Sequence, residues 1–407
     1  MRIHYPDLGN NIERDALILN RRTMKNNILF LFLCAFLFVI SSAADCADRY
    51  WVGGSGTWDN TNTSNWSTSS GGGGGASFPT GNDNVYFDGG SASDNYAVTI
   101  SGIVSCENLS IDKPTGSGKK ITISGSSMNL DIYGDLNYAG GAAGVVDNIT
   151  WYVIMVGASH HNITSNGVVH SCILDIVIGS WTILADPWVT SGEISNYGTI
   201  DLGSATHEFN GPGLALGWVF MNSGGTVIAG TSTLKITNTA NGNSDFIGGD
   251  QTYNNLWYSR GASTGNLIIE GSNTFNNFKD DGTAAHSLVF AAGSTQHITN
   301  FSVSGAAGNL KTITSSSTGD HYLVKDGGGV INCNYLNIQH SVATPDNKWY
   351  AGNNSVDNQD VPTAGSGWIF SSSPPTESEG MLVYDTTLKK LSVFTGSTWE
   401  SISSGAP

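Results

Sequence analysis

Apolar and polar residues alternate along most of this chain in short runs, such as Tyr96-Ala97-Val98-Thr99-Ile100 and Lys120-Ile121-Thr122-Ile123-Ser124. A period of two places every second side chain on one side of an extended backbone, so each run predicts a half-buried strand. Runs of Ala, Leu, Glu and Lys at helical spacing are nearly absent. Gly and Asn fall between the runs, where corners need left-handed backbone. The pattern predicts an all-β chain.

The strands carry an internal repeat. Cys106-Glu107-Asn108-Leu109-Ser110-Ile111 recurs as Cys333-Asn334-Tyr335-Leu336-Asn337-Ile338. Looser copies begin at Tyr253, Phe275 and Ile298, which are 22 and 23 residues apart. From Cys106 one such step lands near Met128-Asn129-Leu130-Asp131-Ile132, and Cys172-Ile173-Leu174 and Ile194-Ser195-Asn196-Tyr197 continue the rhythm less closely. About 22 residues suit one coil of three short strands, and a coil cannot bury its apolar side without a stacked neighbour. The fold expected is therefore a right-handed parallel β-helix, a β-solenoid, over residues 45–370. An antiparallel β-sandwich array gives similar short strands, but a motif repeating in register favours the solenoid. At this period the segment makes roughly 14 coils. Cys106 and Cys333 are expected at equivalent inward positions of distant coils, and so unpaired with each other.

Composition fits a surface-rich repeat protein. Of 407 residues only 12% are charged, while 52 are Gly. The net charge is −16, which repels phosphate backbones and argues against nucleic-acid binding. Residues 24–44 begin Met24-Lys25-Asn26-Asn27, continue apolar from Ile28 to Ile40, and end Ser41-Ser42-Ala43-Ala44. A basic start, a short apolar stretch and small residues at a cleavage point read as a secretory signal peptide. Residues 1–23 then read as an upstream extension, and the mature chain as secreted or cell-surface, with no membrane span. Four cysteines remain after Ala44, their pairing open, and no Cys-x-x-Cys suggests a metal.

Three segments bear a resemblance to known sequences. Residues 50–88, from Tyr50-Trp51-Val52-Gly53-Gly54 through Asn65-Trp66-Ser67 to Asn84-Val85-Tyr86-Phe87-Asp88, resemble the opening of bacterial and phage surface proteins with β-helical, pectin-lyase-like bodies. Residues 286–370, ending in Trp349-Tyr350-Ala351-Gly352 and Gly367-Trp368-Ile369-Phe370, are similar to a module of that group. Residues 380–400, from Gly380-Met381-Leu382-Val383-Tyr384-Asp385 to Trp399-Glu400, resemble a short hairpin module of phage tail fibres. The resemblance implies an architecture, not an activity. It also favours self-association, as a trimer, through a hairpin at 380–402 with a turn near Thr386-Thr387; surface glycans or other appendage proteins are the other partners expected. The polar, proline-broken run from Ser371 to Glu379 reads as a linker between the hairpin and the solenoid.

Candidate chemistry is sparse. Trp51, Trp58 and Trp66 offer rings for stacking on sugars, with Asn60, Asn62 and Asn65 for hydroxyl groups; the same rings suit a cap on the open first coil. Asp83, Asp88 and Asp94 with Asn82 and Asn84 supply oxygens for a cation, yet their spacing fits turn capping better. Gly71 to Gly75 lacks the lysine of a phosphate loop. Asp280-Asp281-Gly282 and Asp320-His321 are the only tempting acids, the first an Asp-Gly turn and the second adjacent residues that face opposite sides of a strand. The expectation is a non-catalytic structural or adhesive surface protein with no cofactor and no metal. A glycan-binding adhesin or phage tail-like receptor-binding protein is the alternative; a polysaccharide-cleaving enzyme ranks below both. A binder should show an exposed stripe of Trp and Tyr beside Asn and Asp, whereas a spacer should show Ser, Thr and Gly there.

Overall fold

A computed structural model describes residues 46–211, 217–359, 365–372, 382–385, 390–394 and 399–402. The segments expected as a signal peptide at 24–44, as an extension before it and, for the most part, as a linker at 371–379 lie outside the described residues. The chain divides into a unit ending at Ala47 and one from Asp48 onward.

The alternation seen in the sequence becomes alternation of burial. Tyr96, Val98 and Ile100 point inward while Ala97 and Thr99 are exposed. The strand below repeats this with Ile121 and Ile123, and the two pair in parallel, Tyr96 to Ile121 and Val98 to Ile123. Stacking of this kind generates a β-solenoid of about 12 turns. An antiparallel sandwich array is excluded, because successive strands of every solenoid face pair in parallel.

Three faces can be followed along the coils. Face I is a sheet of 12 strands, from Ile103–Cys106 to Val356–Asp357. Its strands begin 20 to 26 residues apart. Face II runs from Ala47–Trp51 to Thr226–Ile228 as one sheet. Face III begins with the four strands ending at Val145–Ile149 and continues from Val169–His170 onward. The coil count falls short of the 14 expected because the mean period exceeds 22 and the residues before 103 are spent mostly on the N-terminal cap.

The interior is a set of ladders. On face I, Val104, Leu130, Val153, Leu174, Ile194, Phe220 and Phe246 stand directly above one another, all buried. Each contributes roughly 1.5–3 kcal/mol of burial free energy. The corners are equally stacked: Gly230, at φ +54°, sits over Gly203, and an added Cβ would lie 2.0 Å from the Gly203 carbonyl oxygen.

Around residue 250 the section of the coil changes. Faces II and III fuse into single long strands, Thr252–Tyr258, Thr274–Asp280 and Thr295–Val303. These are the 22- and 23-residue repeats, and they align as predicted, Tyr253 to Phe275 to Ile298 and Leu256 to Phe278 to Phe301. Two successive residues escape the interior at each bend, and their amides form a ladder: Asn300 donates to Asn277 (2.9 Å) and Asn277 to Asn255 (2.5 Å).

The Cys motif behaves differently. Cys106 ends a face I strand, in register with Ile132 rather than with Met128. Cys333 follows Ile331–Asn332 on the far side of the coil, and its Leu336 opens a face I strand, whereas Leu109 opens one on face II. Both cysteines are buried and free, but they are not equivalent. Apolar-x-Asn-Leu marks a coil corner in general, so the motif recurs at two different corners.

At the C-terminus the expected hairpin is a three-stranded antiparallel module, Leu382–Asp385, Lys390–Phe394 and Trp399–Ile402. Leu382 pairs with Val393 and Tyr384 with Leu391, and the third strand adds Phe394 to Trp399.

Candidate functional site

The three tryptophans of the opening segment do not face solvent. Trp51, Trp58 and Trp66 are each 0% exposed. Trp66 meets Trp51 and Trp58 edge-on at 5.1 and 5.5 Å, and all three pack on Phe87. The strand Trp66–Ser67 lies antiparallel on Ala47–Trp51 and ends face II. The asparagines are held on backbone carbonyls. Asn62 and Asn65 donate to the carbonyls of Thr57 and Val52, and Asn60 donates to Ile103, the first residue of face I (2.7 Å). A sugar therefore finds no ring face here, and these side chains close the first coil.

The acids singled out in the sequence are likewise engaged. Asp83 accepts from the Thr80 amide and hydroxyl, Asp88 from the Gly90 amide, and Asp94 pairs with Lys119 at 2.6 Å. Among the described residues no group of three or more His, Cys, Asp or Glu is arranged to hold a metal. His321 is buried against Phe290, with ring centres 4.6 Å apart, and burial pushes its pKa down to about 3. Asp280 is buried.

A further cluster has the hydrogen-bond order of a nucleophile, a base and an orienting acid. Ser165 Oγ lies 3.1 Å from His170 Nε2, and His170 Nδ1 lies 2.8 Å from Asp147, which also accepts from the Tyr138 hydroxyl. Trp188 is stacked flat on the imidazole at 3.8 Å. All of these side chains are buried inside the coil, so no substrate reaches the serine; the network satisfies polar groups in the core.

The outer side of face I is where polar chemistry meets solvent. Parallel register brings Asn129, Tyr152, Ile173 and Glu193 into one row. Asp131, Ile154, Asp175, Ser195 and Met221 form the next. Between these rows, Tyr197 and Trp218 help wall a groove of about 270 Å³. Trp151 stands beside Tyr152, edge to face at 5.6 Å, and is 41% exposed.

The carboxylates in this groove and Asp131 beside it are short of partners. Asp131 Oδ1, Asp175 Oδ1 and Glu193 Oε2 are buried and accept no hydrogen bond from the protein. Only Glu193 Oε1 is served, by the Ser195 hydroxyl at 3.1 Å. Burial raises the pKa of Asp131 and Asp175. Burial also raises Glu193, the Ser195 hydrogen bond opposes this, and repulsion from Asp175 adds to it. The row continues at Asp245, beside Trp218, with one more unpartnered oxygen and a pKa raised by burial.

Beyond that point the same face changes character. After Ile268 and Glu270 its outward residues become Ser287 and Val289, then Thr312 and Thr314, then Asn337. Sequence reasoning missed the groove because its members lie on different coils. One signal was present: Leu130-Asp131-Ile132 and Leu174-Asp175-Ile176 are the same tripeptide, two coils apart on face I. Among the described residues no helix is long and apolar enough to cross a membrane. Comparison of the chain with protein-family models, with curated proteins and with solved structures finds no match.

Proposed function

We propose that the chain is an exported, non-catalytic surface protein whose solenoid holds a glycan along the N-terminal half of face I, its later coils serving as a spacer. The observation that carries this is the groove in which Tyr152, Tyr197 and Trp218 stand with the carboxylates of Asp175 and Glu193. Rings supply apolar faces for the C–H side of a sugar, and carboxylates accept from its hydroxyls with charge-assisted strength. From the strand at Asn129 to the strand at Ser244 there are five inter-coil steps, or ~24 Å at the spacing of paired strands. That length suits an oligosaccharide better than a single ring. Export rests on the signal at 24–44.

Two raised carboxyl groups in a groove also invite a hydrolytic reading. Glycoside hydrolysis needs an acid and a base whose environments separate their pKa values. Asp175 and Glu193 are pushed in the same direction by the same cause, which favours binding over cleavage. The test is a glycan array probed with the mature chain, followed by titration of any hit against Tyr197→Ala, Trp218→Ala and Glu193→Gln. Each variant should bind about tenfold more weakly, corresponding to ~1.4 kcal/mol. A hit that all three variants retain at full affinity would remove the groove from the function. New reducing ends released from a bound glycan would make the protein an enzyme.

A further inference from the structure

Asp280 closes the fused strand Thr274–Asp280, and Lys311 opens the face I strand Lys311–Ser315, both pointing into the coil. Their side chains meet in the interior. Lys311 Nζ lies 2.8 Å from Asp280 Oδ1, with the two side chains 1% and 0% exposed. His286 Nε2 lies 2.7 Å from the other oxygen, Oδ2, and that ring is 1% exposed. The amide of Gly282 donates to Oδ1 at 3.0 Å, and Lys311 also donates to the Asp280 carbonyl at 2.9 Å. Lysine and aspartate are seldom buried this completely, and an apolar trio of the same volume commonly stabilises a core as well or better.

Proton placement follows from the partners. His286 Nδ1 faces the carbonyl oxygen of Ala284 at 2.9 Å. A carbonyl oxygen only accepts, so Nδ1 carries a hydrogen. Nε2 then faces a carboxyl oxygen, and a 2.7 Å contact there requires a proton on that line as well. The carboxyl group thus has an amine beside one oxygen, a proton delivered to the other, and a backbone N–H aimed at the oxygen that would bear charge. Those are the requirements of acyl transfer: a held nucleophile, an acid for the leaving group and an oxyanion donor.

We propose that Lys311 and Asp280 condense into an intramolecular isopeptide bond that staples face I to the fused strand. The Lys311 nitrogen attacks Asp280 Cγ, forming the N–C bond. The Cγ–Oδ2 bond breaks. Counted from the ion pair, the ammonium gives up two protons, Oδ2 takes both with His286 as relay, and one water molecule leaves. The nitrogen keeps one hydrogen, and Oδ1 becomes the amide carbonyl, still receiving the Gly282 N–H. No oxidant, reductant or further reactant enters. The bond would close a loop of 31 residues and hold it through unfolding, which restricts the unfolded chain.

The proposal is independent of the glycan reading, and mass spectrometry decides it. Trypsin acting on the denatured, unlinked chain cuts after Lys279, Lys311 and Lys325, releasing 280–311 and 312–325. The linked chain should instead yield 280–325, uncut at Lys311 and lighter by one water. Lys311→Arg keeps the charge but forms no such amide, and should release 280–311 at full mass. Finding 280–311 and 312–325 at unmodified mass from the folded wild-type protein would overturn the proposal. The wild-type digest suffices even if the variant fails to fold.

Discussion

At the scale of single residues, the groove carboxylates and the buried histidines respond to pH in opposite senses. Burial holds His321 down to about 3, and it lowers His207 as well. Above the unfolded value near 6.5 neither state binds the proton and stability is unaffected. As the pH falls from there toward 3, the unfolded chain takes up a proton that folded His321 refuses. Stability is then lost at up to about 1.4 kcal/mol per pH unit. His321→Phe should flatten the acid limb of a melting-temperature profile; an unchanged limb would show that the histidine is protonated in the fold. Glu193 has its folded pKa raised, so its stabilising share is present below about 4 and disappears as the pH rises through the folded value. Glu193→Gln should therefore raise stability on the order of 1 kcal/mol at pH 7, with the gain vanishing near pH 4, while glycan affinity falls. A variant that gains stability and keeps affinity would make the acid a mere defect. None of this could be read along the chain. Asp175 and Glu193 are 18 positions apart, and only the register that sets Ile173 opposite Glu193 makes them neighbours.

At the scale of elements, strands were legible and register was not. Alternation located Tyr96–Ile100 and the long repeats at 253, 275 and 298 because burial of every second residue leaves that trace directly. It could not fix which corner a motif occupies, since coils vary between 20 and 26 residues and each corner absorbs the difference. Hence Cys106 and Cys333 looked equivalent. The fused strands invite a direct test. Phe278 is stacked on Phe301 and met edge-on by Phe275, and Phe278→Ala should cost about 3–5 kcal/mol by emptying a core position. Asn277→Ala interrupts the amide ladder at the bend and should cost about 1–2 kcal/mol. Chemical denaturation checks both, and an Asn277→Ala loss as large as that of Phe278→Ala would show that the bend, not the core, holds these coils.

At the scale of the whole molecule, a solenoid is stabilised by neighbours, so its parts can be removed one at a time. Deleting 371–407 takes away the three-stranded module but no strand of the 12 on face I. Thermal unfolding of the remainder should stay within a few degrees, while light scattering reports any change in association. Collapse of the melting transition would make that module the C-terminal cap. The N-terminal end is the more telling one. From Asp83–Phe87 to Thr226–Ile228 each step of face II, from coil to coil, runs parallel; its end strand, Trp66–Ser67, is two residues long and runs antiparallel to its neighbour. An incoming chain would have to pair antiparallel there, against the direction that coils of this fold require, and at the neighbouring edge of face I it would meet the Asn60 side chain already on the Ile103 carbonyl. Polymer growth by end-to-end addition is thereby refused at its first step. Trp66→Ala with Asn60→Ala should relax that refusal, and the doubly substituted protein should lengthen into fibres on storage where the wild type stays dispersed.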